Sequence, residues 1–374
     1  MSRKTIGMMQ AGLTALHASR LGALFAPLTR GKGIVFTLHS VHPEPPSAFD
    51  PNGMLRITPE FLETAIGLAR KAGYDIVSLD EAARRLKADD EGRPFAAFTL
   101  DDGYRDNRDH AYPIFKKHDV PFAIYVPADY ADGKGDLWWY VLEQALRQAD
   151  SLRIGFAGAL RAFDLSTPEA KTRAFREIYW PLRDLPEREL RATVRKIADT
   201  VGYDSSTLCR DLIMDWDEIR DLAADPLVTI GAHTCSHFAV GKLSEDEARK
   251  EIAASVARIE KELDRPCRHF SFPYGDPASC GPRDFALAEE LGLETAVTTH
   301  KDVLRASYPM TGLPRVSLNG RFQDARYLEI MMTGLPFQLV DTAASAWRAV
   351  RTPFRDGRRE AGVPAGSRPG AAST

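Results

Sequence analysis

The chain has 374 residues, 44% of them hydrophobic, enough for one large α/β barrel or two ordinary domains with a sizeable core. Its 49 basic and 52 acidic residues leave a net charge of −3, which excludes the broad positive field of a nucleic-acid binder and the acidic excess of a solvating tail. Cys209, Cys235, Cys267 and Cys280 lie far apart with no C-x-x-C pair, so neither a disulfide framework nor a thiolate zinc site is indicated, and a reducing compartment fits.

No stretch approaches the roughly 20 uninterrupted apolar residues of a membrane span. Residues 1–32 read as an amphipathic helical segment, with Ile6, Met9, Leu13, Leu16, Leu21 and Leu24 near helical spacing and no acid before Glu44. Gln10, His17 and Arg20 interrupt it too often for the core of a signal peptide, so a cytoplasmic protein is expected. This segment is expected to pack on the domain; peripheral contact with the inner membrane surface is the alternative.

From residue 34 short β-branched runs alternate with amphipathic stretches, the pattern of βα units and a parallel sheet. Strands are expected at Ile34–Leu38, Phe95–Leu100, Phe122–Val126, Val228–Ile230, His269–Phe272, Thr295–Thr298 and Arg315–Leu318. The fold class is therefore α/β, a distorted (β/α) barrel of about seven strands spanning 33–335. Helices are expected at Thr58–Ala72 and at Ser244–Leu263, where Ser244 and Glu247 form a capping box. Residues from about 131 to 212 break the rhythm and read as a helical insertion without a strand. Residues 336–374 read as a helix followed by a disordered tail rich in Pro, Gly, Ser and Arg, whose five arginines from Arg348 to Arg359 form a solvated charge run.

Three strand ends carry candidate chemistry. In Phe98-Thr-Leu-Asp-Asp-Gly-Tyr104 a buried strand ends in two carboxylates, and the carboxyl ends of barrel strands face the catalytic mouth. Consecutive side chains point in different directions, so one acid can bind a cation while the other stays a free base. Taken alone, the pair is equally a helix N-cap. In Ile230-Gly-Ala-His-Thr-Cys-Ser-His237 two imidazoles stand four positions apart; with one carboxylate they complete a three-ligand metal set that leaves one position open. Phe270-Ser-Phe-Pro-Tyr-Gly275 ends a strand in a turn able to present a backbone N–H to an oxyanion, although alone it is an ordinary turn.

Together these segments resemble the polysaccharide deacetylase family, the NodB homology domain or carbohydrate esterase family 4. Thr99-Leu-Asp-Asp-Gly103 matches the family's T-F-D-D-G motif and His233-Thr-Cys-Ser-His237 its H-[ST]-x-x-H motif, while Ser271-Phe-Pro-Tyr274 meets R-x-P-Y only in part. The resemblance implies removal of N-acetyl groups, or O-acetyl groups, from an acetylated glycan of the chitooligosaccharide type. It implies Asp102, His233 and His237 as ligands of a divalent metal, zinc before cobalt or nickel. Asp101 is then the base, the Tyr274 N–H an oxyanion donor, and Pro273 the residue that shapes the turn. The family's base-orienting arginine is replaced by Ser271, and Arg315, at another strand end, is the substitute nominated; it also joins Tyr104 and Pro273 as candidates lining the substrate. The family's late acidic histidine is not clearly matched, and His39, closing the first strand, ranks above His300 for that role. If neither serves, an ester with its less basic leaving group becomes the expected substrate. Trp138, Trp139 and Tyr140 open the insertion and read as packing residues before sugar platforms. Two competing readings are a metal hydrolase of another C–N bond, such as a cyclic amide or formamide, and an inactive glycan-binding barrel.

Overall fold

The computed structural model describes residues 3–88, 92–156 and 158–351; the expected tail lies outside them. Seven strands form the curled sheet: Gly33–Leu38 (β1), Phe95–Asp101 (β2), Phe122–Val126 (β3), Val228–Ala232 (β4), His269–Ser271 (β5), Thr295–Val297 (β6) and Val316–Ser317 (β7). They lie in the order β6-β5-β4-β3-β2-β1-β7, every pairing parallel. One segment links the two ends of the sheet. Leu313 bridges to Val297, and four residues on Ser317 pairs with Thr37. The short strand Asp75–Ile76 takes the edge of β2 at Phe95 and Ala96, before β3 takes over at Phe98.

The strands read as continuous apolar runs because both faces are covered, and β1, β2 and β3 are buried along their whole length. Their alternate residues nonetheless enter separate cores. Val35, Ala97, Ala123, Tyr125 and Val297 cluster with Leu313 inside the curl, whereas Phe36, Leu38, Phe98, Leu100, Ile124 and Val126 pack outward against helices. The inner set is mostly small, which leaves room for Tyr125. A Cβ at Gly231 on β4 would stand 2.6 Å from the Tyr125 ring and 2.8 Å from the His269 carbonyl oxygen, so only glycine fits beside it.

Two helices precede the barrel, Arg3–Ala18 (α1) and Leu21–Thr29 (α2). The helix Pro59–Lys71 (α3) starts where its sequence signals, with the Thr58 side chain accepting from the Phe61 N–H and proline in the first turn. The insertion holds the helices Trp138–Gln148 (α4), Pro168–Asp184 (α5) and Glu187–Val201 (α6) around their own core of Leu142, Leu146, Phe175, Ile178, Leu190 and Val194. It also holds an antiparallel hairpin, Ser151–Phe156 with Ala159–Asp164, where no strand was expected. Leu152, Ile154 and Phe163 point inward and Arg153 outward, but in the second strand Arg161 pairs with Ile154 while Leu160 is exposed, which reverses the alternation there. Glu245–Leu263 (α7) opens with both halves of the Ser244–Glu247 capping box. Ala325–Met332 (α8) and Leu335–Arg351 (α9) then return to the first two helices: His17 Nε2 lies 2.8 Å from Glu329, and Gln10 donates to the Arg321 carbonyl at 2.8 Å. Among the described residues no helix is long and apolar enough to cross a membrane.

Phe98 is fully buried between Phe36 (5.0 Å between ring centroids) and Phe115 (5.6 Å). Phe98→Ala is expected to cost about 3–5 kcal/mol, seen as a lower urea midpoint with an unchanged slope.

Candidate active site

Strand β2 ends in Asp101 and Asp102, which leave it in different directions. Asp101 continues the inward set of Ala97 and Thr99. Asp102 then adopts a left-handed backbone (φ 76°), followed by Gly103 (φ 71°), and this turns its carboxylate away from Asp101.

Arg315, just before β7, is fully buried and faces Asp101 with a bidentate pair, Nη1 to Oδ1 at 2.8 Å and Nη2 to Oδ2 at 2.6 Å. Its other donors go to the Thr298 carbonyl (2.8 Å), Thr99 Oγ1 (3.1 Å) and Ser271 Oγ (3.0 Å). All five guanidinium N–H groups are thereby used. Burial pushes the Asp101 carboxyl up, but the Arg315 charge and hydrogen bonds, with His233 and His39 adding to them, more than offset it and hold it below the usual range. Asp101 is therefore an ionised proton acceptor. Arg315 lies behind it in the lumen, so it positions the base and does not line a substrate groove. Ser271, which stands where the family motif has arginine, is one of its acceptors.

The second acid faces two imidazoles. Asp102 Oδ1 lies 3.5 Å from His233 Nε2 and 3.2 Å from His237 Nε2, and all three residues are buried. His233 Nδ1 stands 2.6 Å from the Ser271 carbonyl, a contact that requires the proton on Nδ1 and so makes Nε2 the ring nitrogen that can ligate. Burial lowers His237 to about 4, despite the opposing pull of Asp102, so its ring is neutral. Asp102 is held well below the usual range: burial raises it, and His237 and His233 outweigh that. These are the protonation states a metal needs. Asp102 Oδ1 and His237 Nδ1 have no hydrogen-bond partner among the described residues. Ligands about 2.1 Å from a shared tetrahedral ion stand roughly 3.4 Å apart, close to both spacings here. The donors thus fit a divalent cation.

The supporting backbone is strained in the same place. Thr234 (φ 60°), His237 (φ 54°) and Tyr274 (φ 62°) join Asp102 in the left-handed region that non-glycine residues avoid. At Tyr274 the turn is held by Thr299 Oγ1 donating to its carbonyl (2.6 Å) and by Gly275 N–H donating to the Pro273 carbonyl (2.7 Å). The Tyr274 ring packs against His237, lies under the Arg183 guanidinium at 3.6 Å, and its hydroxyl accepts from Trp138 Nε1 (2.8 Å).

The insertion contributes more to the site than its sequence suggests. Arg191 of α6, paired with Glu187 in a buried bridge of 2.7 Å, donates to the carbonyls of Ser236 (3.2 Å) and His237 (3.0 Å). From the other side, Glu251 of α7 accepts from the Cys235 and Ser236 N–H groups, both at 3.0 Å. Trp139 and Tyr130 pack on the His237 ring, with centroids 5.1 and 5.6 Å away. Trp138 and Trp139 are buried and so wall the His233–His237 loop, in keeping with their reading as packing residues.

Of the other expected residues, His39 is half-buried at the end of β1, and its charge would act on both Asp101 and Asp102. Asn107 donates to its carbonyl (2.7 Å), while Asp106 accepts from the Ser40 hydroxyl and the Val41 N–H, fixing the loop that carries it. His300 is exposed beside Tyr308. Tyr104, expected on the substrate, is only 2% exposed and packs on Tyr140, and Pro273 is buried within its turn. Tyr104 Oη is left without a hydrogen-bond partner among the described residues. Arg191, Asp106 and Asn107 carried no sequence signal, because a side chain that holds a distant carbonyl obeys no local spacing.

Removing one partner of a buried ion pair strands the other charge. Arg315→Met is expected to destabilise by about 3–5 kcal/mol, and Asp101→Asn combined with it to cost less than the sum of the two single changes, measured as a double-mutant cycle of unfolding. The double change Glu187→Gln with Arg191→Met keeps the charge balance while releasing the His237 carbonyl, and is expected to weaken zinc binding about 10–100-fold in chelator competition.

Residues 177–296 match the family model described as polysaccharide deacetylase. No curated protein matches the chain. Among solved structures, a Streptococcus pyogenes deacetylase, PplD, in complex with acetate superposes with a TM-score of 0.54 at 16% identity, covering 80% of this chain and 98% of that one. IcaB from Ammonifex degensii gives a TM-score of 0.50 at 18% identity, over 80% and 98%. BC0361, a polysaccharide deacetylase from Bacillus cereus, gives 0.51 at 12% identity, over 80% and 69%. At such identities the likeness is one of fold. The family match carries both histidines and the Phe-Pro-Tyr-Gly turn, and the fold brings Asp101 and Asp102 to them from outside it. The segment 177–296 thus matches the polysaccharide deacetylase model, and it is set in a barrel whose fold is similar to that of the solved deacetylase structures.

Proposed function

We propose that the chain is a metal-dependent carbohydrate deacetylase that hydrolyses N-acetyl groups of an amino-sugar polymer or oligomer, with O-acetyl esters as the alternative substrate. One observation carries the reading: an ionised carboxylate locked by a five-bond guanidinium stands beside a separate cluster of one carboxylate and two imidazole nitrogens. The first is built to take a proton and the second to bind a cation.

Asp102, His233 and His237 would hold the metal, and zinc suits two imidazoles and a carboxylate with one position left open. When bound, the ion supplies Lewis acidity toward the acetyl carbonyl and lowers the pKa of water. Asp101 accepts a proton from the attacking water, and the Arg315 bridge keeps its oxygens aimed. The Tyr274 N–H, which has no hydrogen-bond acceptor among the described residues, donates to the oxyanion as the carbonyl becomes tetrahedral. The C–N bond then breaks, and His39 gives its proton to the departing nitrogen. The product is a free amine and acetate.

The test is elemental analysis of the purified full chain together with acetate release from N-acetylglucosamine oligomers and, in parallel, hydrolysis of a small cyclic amide. Stoichiometric zinc is expected, lost in Asp102→Ala and His237→Ala. Asp101→Asn is expected to keep zinc and lose acetate release about 10²–10⁴-fold. An active Asp101→Asn, or a chain that binds no metal and gains nothing from added zinc, cobalt or nickel, overturns the reading. Turnover of the cyclic amide alone would move the substrate to another C–N bond.

A further inference from the structure

Helix α2, Leu21-Gly-Ala-Leu-Phe-Ala-Pro-Leu-Thr29, is apolar around nearly its whole circumference, yet it lies on the surface. Only Gly22 and Thr29 are buried, against Ile330 and Thr333 of the α8 end. Leu24 is 70% exposed and Leu28 77%, with Leu21 and Phe25 about two-fifths exposed. The exposed apolar surface continues onto α9, which packs on α2: Val340 and Leu339 are exposed as well. Scattered exposed leucines need no explanation, but four exposed apolar side chains on one nine-residue helix, with two more on the helix packed against it, do.

The charge around the ridge identifies what covers it. Residues 1–33 hold five Lys and Arg and no Asp or Glu, in a chain with an overall acidic excess. Arg20 stands at the N-cap of α2 and Arg30 at its C-cap, bracketing the leucines, and Lys4 is exposed on α1. Of the acids near the ridge, Glu329 is tied to His17, and Asp341 adjoins Val340. A second copy docked through this ridge would bring cations against cations. A surface of anionic headgroups over acyl chains matches both features: the leucines enter the acyl boundary, and the bracketing cations meet the headgroups.

We propose that α2, supported by α9, is an interfacial anchor that seats the protein on a bilayer bearing anionic lipids. Its placement leaves catalysis free. The chain passes from α2 directly into the N-terminal end of β1, whereas Asp101, Asp102, His233 and His237 lie at the opposite, C-terminal strand ends. The anchor grips the floor of the barrel and the mouth opens away from the lipid.

The test is co-sedimentation of the full chain with vesicles of equal parts phosphatidylglycerol and phosphatidylcholine, against phosphatidylcholine alone. Wild type is expected to partition at least about tenfold better onto the anionic vesicles, with the preference falling as salt is raised. Leu24→Asp combined with Leu28→Asp is expected to abolish binding while leaving the unfolding midpoint and acetate release unchanged. Lys4→Glu combined with Arg20→Glu is expected to lose the anionic preference. Equal partition onto both vesicle types, or binding indifferent to the leucine changes, overturns the proposal. So does a wild-type dimer in light scattering that the leucine changes convert to monomer, since a second copy would then be the occupant.

Discussion

The site depends on one buried ion pair. Arg315 and Asp101 are both withdrawn from water, and moving two charges into such a place costs several kcal/mol per ion unless every donor and most lone pairs are met. Here they are met by groups from four elements: Thr99 and Asp101 on β2, Ser271 on β5, Thr298 just past β6, and Arg315 at the entry to β7. The guanidinium therefore does two things with the same bonds. It keeps the base ionised, and it ties the last strands of the sheet to the second at the level of the catalytic mouth. Ser271 fits this arrangement because a short hydroxyl can accept from Arg315 where a second long cation would compete with it for Asp101.

Around this pair the chain bends in ways an unconstrained backbone avoids. Asp102, Thr234, His237 and Tyr274 all sit in left-handed conformations, each costing on the order of 1–3 kcal/mol. The cost is tolerated because neighbours over-determine each turn. Arg191 and Glu251 hold the His237 loop from two sides, and Thr299 holds the Tyr274 carbonyl. The insertion thus has a function that its helical composition hides: its Arg191, Trp138 and Trp139 brace the loop that carries His233 and His237.

The barrel strands were legible because both of their faces are buried, which writes an uninterrupted apolar run into the sequence. β3 spans the expected Phe122–Val126, and α3 and α7 begin at the caps that Thr58 and Ser244 announce. The hairpin 151–164 was not legible, since Arg161 stands opposite Ile154 and Leu160 faces solvent, which breaks the two-residue period of its second strand. Within the site the same division holds. Asp101, Asp102, His233 and His237 are found by spacing, because they leave ordered strands at one end. Arg315 could be nominated from its strand-end position, but its place behind the base, out of reach of substrate, depends on the depth of the lumen. Tyr104 was placed by its closeness in sequence to two acids, and the turn at Gly103 packs its ring into the insertion core beside Tyr140, a contact no local spacing announces.

The division of labour between adjacent aspartates follows from that turn. Had Asp102 stayed extended, its side chain would alternate outward into the apolar layer of Phe98 and Leu100, where a carboxylate has no partner. The left-handed step at Asp102, continued by Gly103, lifts it over the end of the sheet toward the two imidazoles. Asp101, still on the strand, remains in the lumen with Arg315. A single change of backbone hand thus separates a carboxylate answered by a fixed guanidinium from one whose Oδ1 faces two imidazoles and has no hydrogen-bond partner among the described residues, the arrangement a cation would complete.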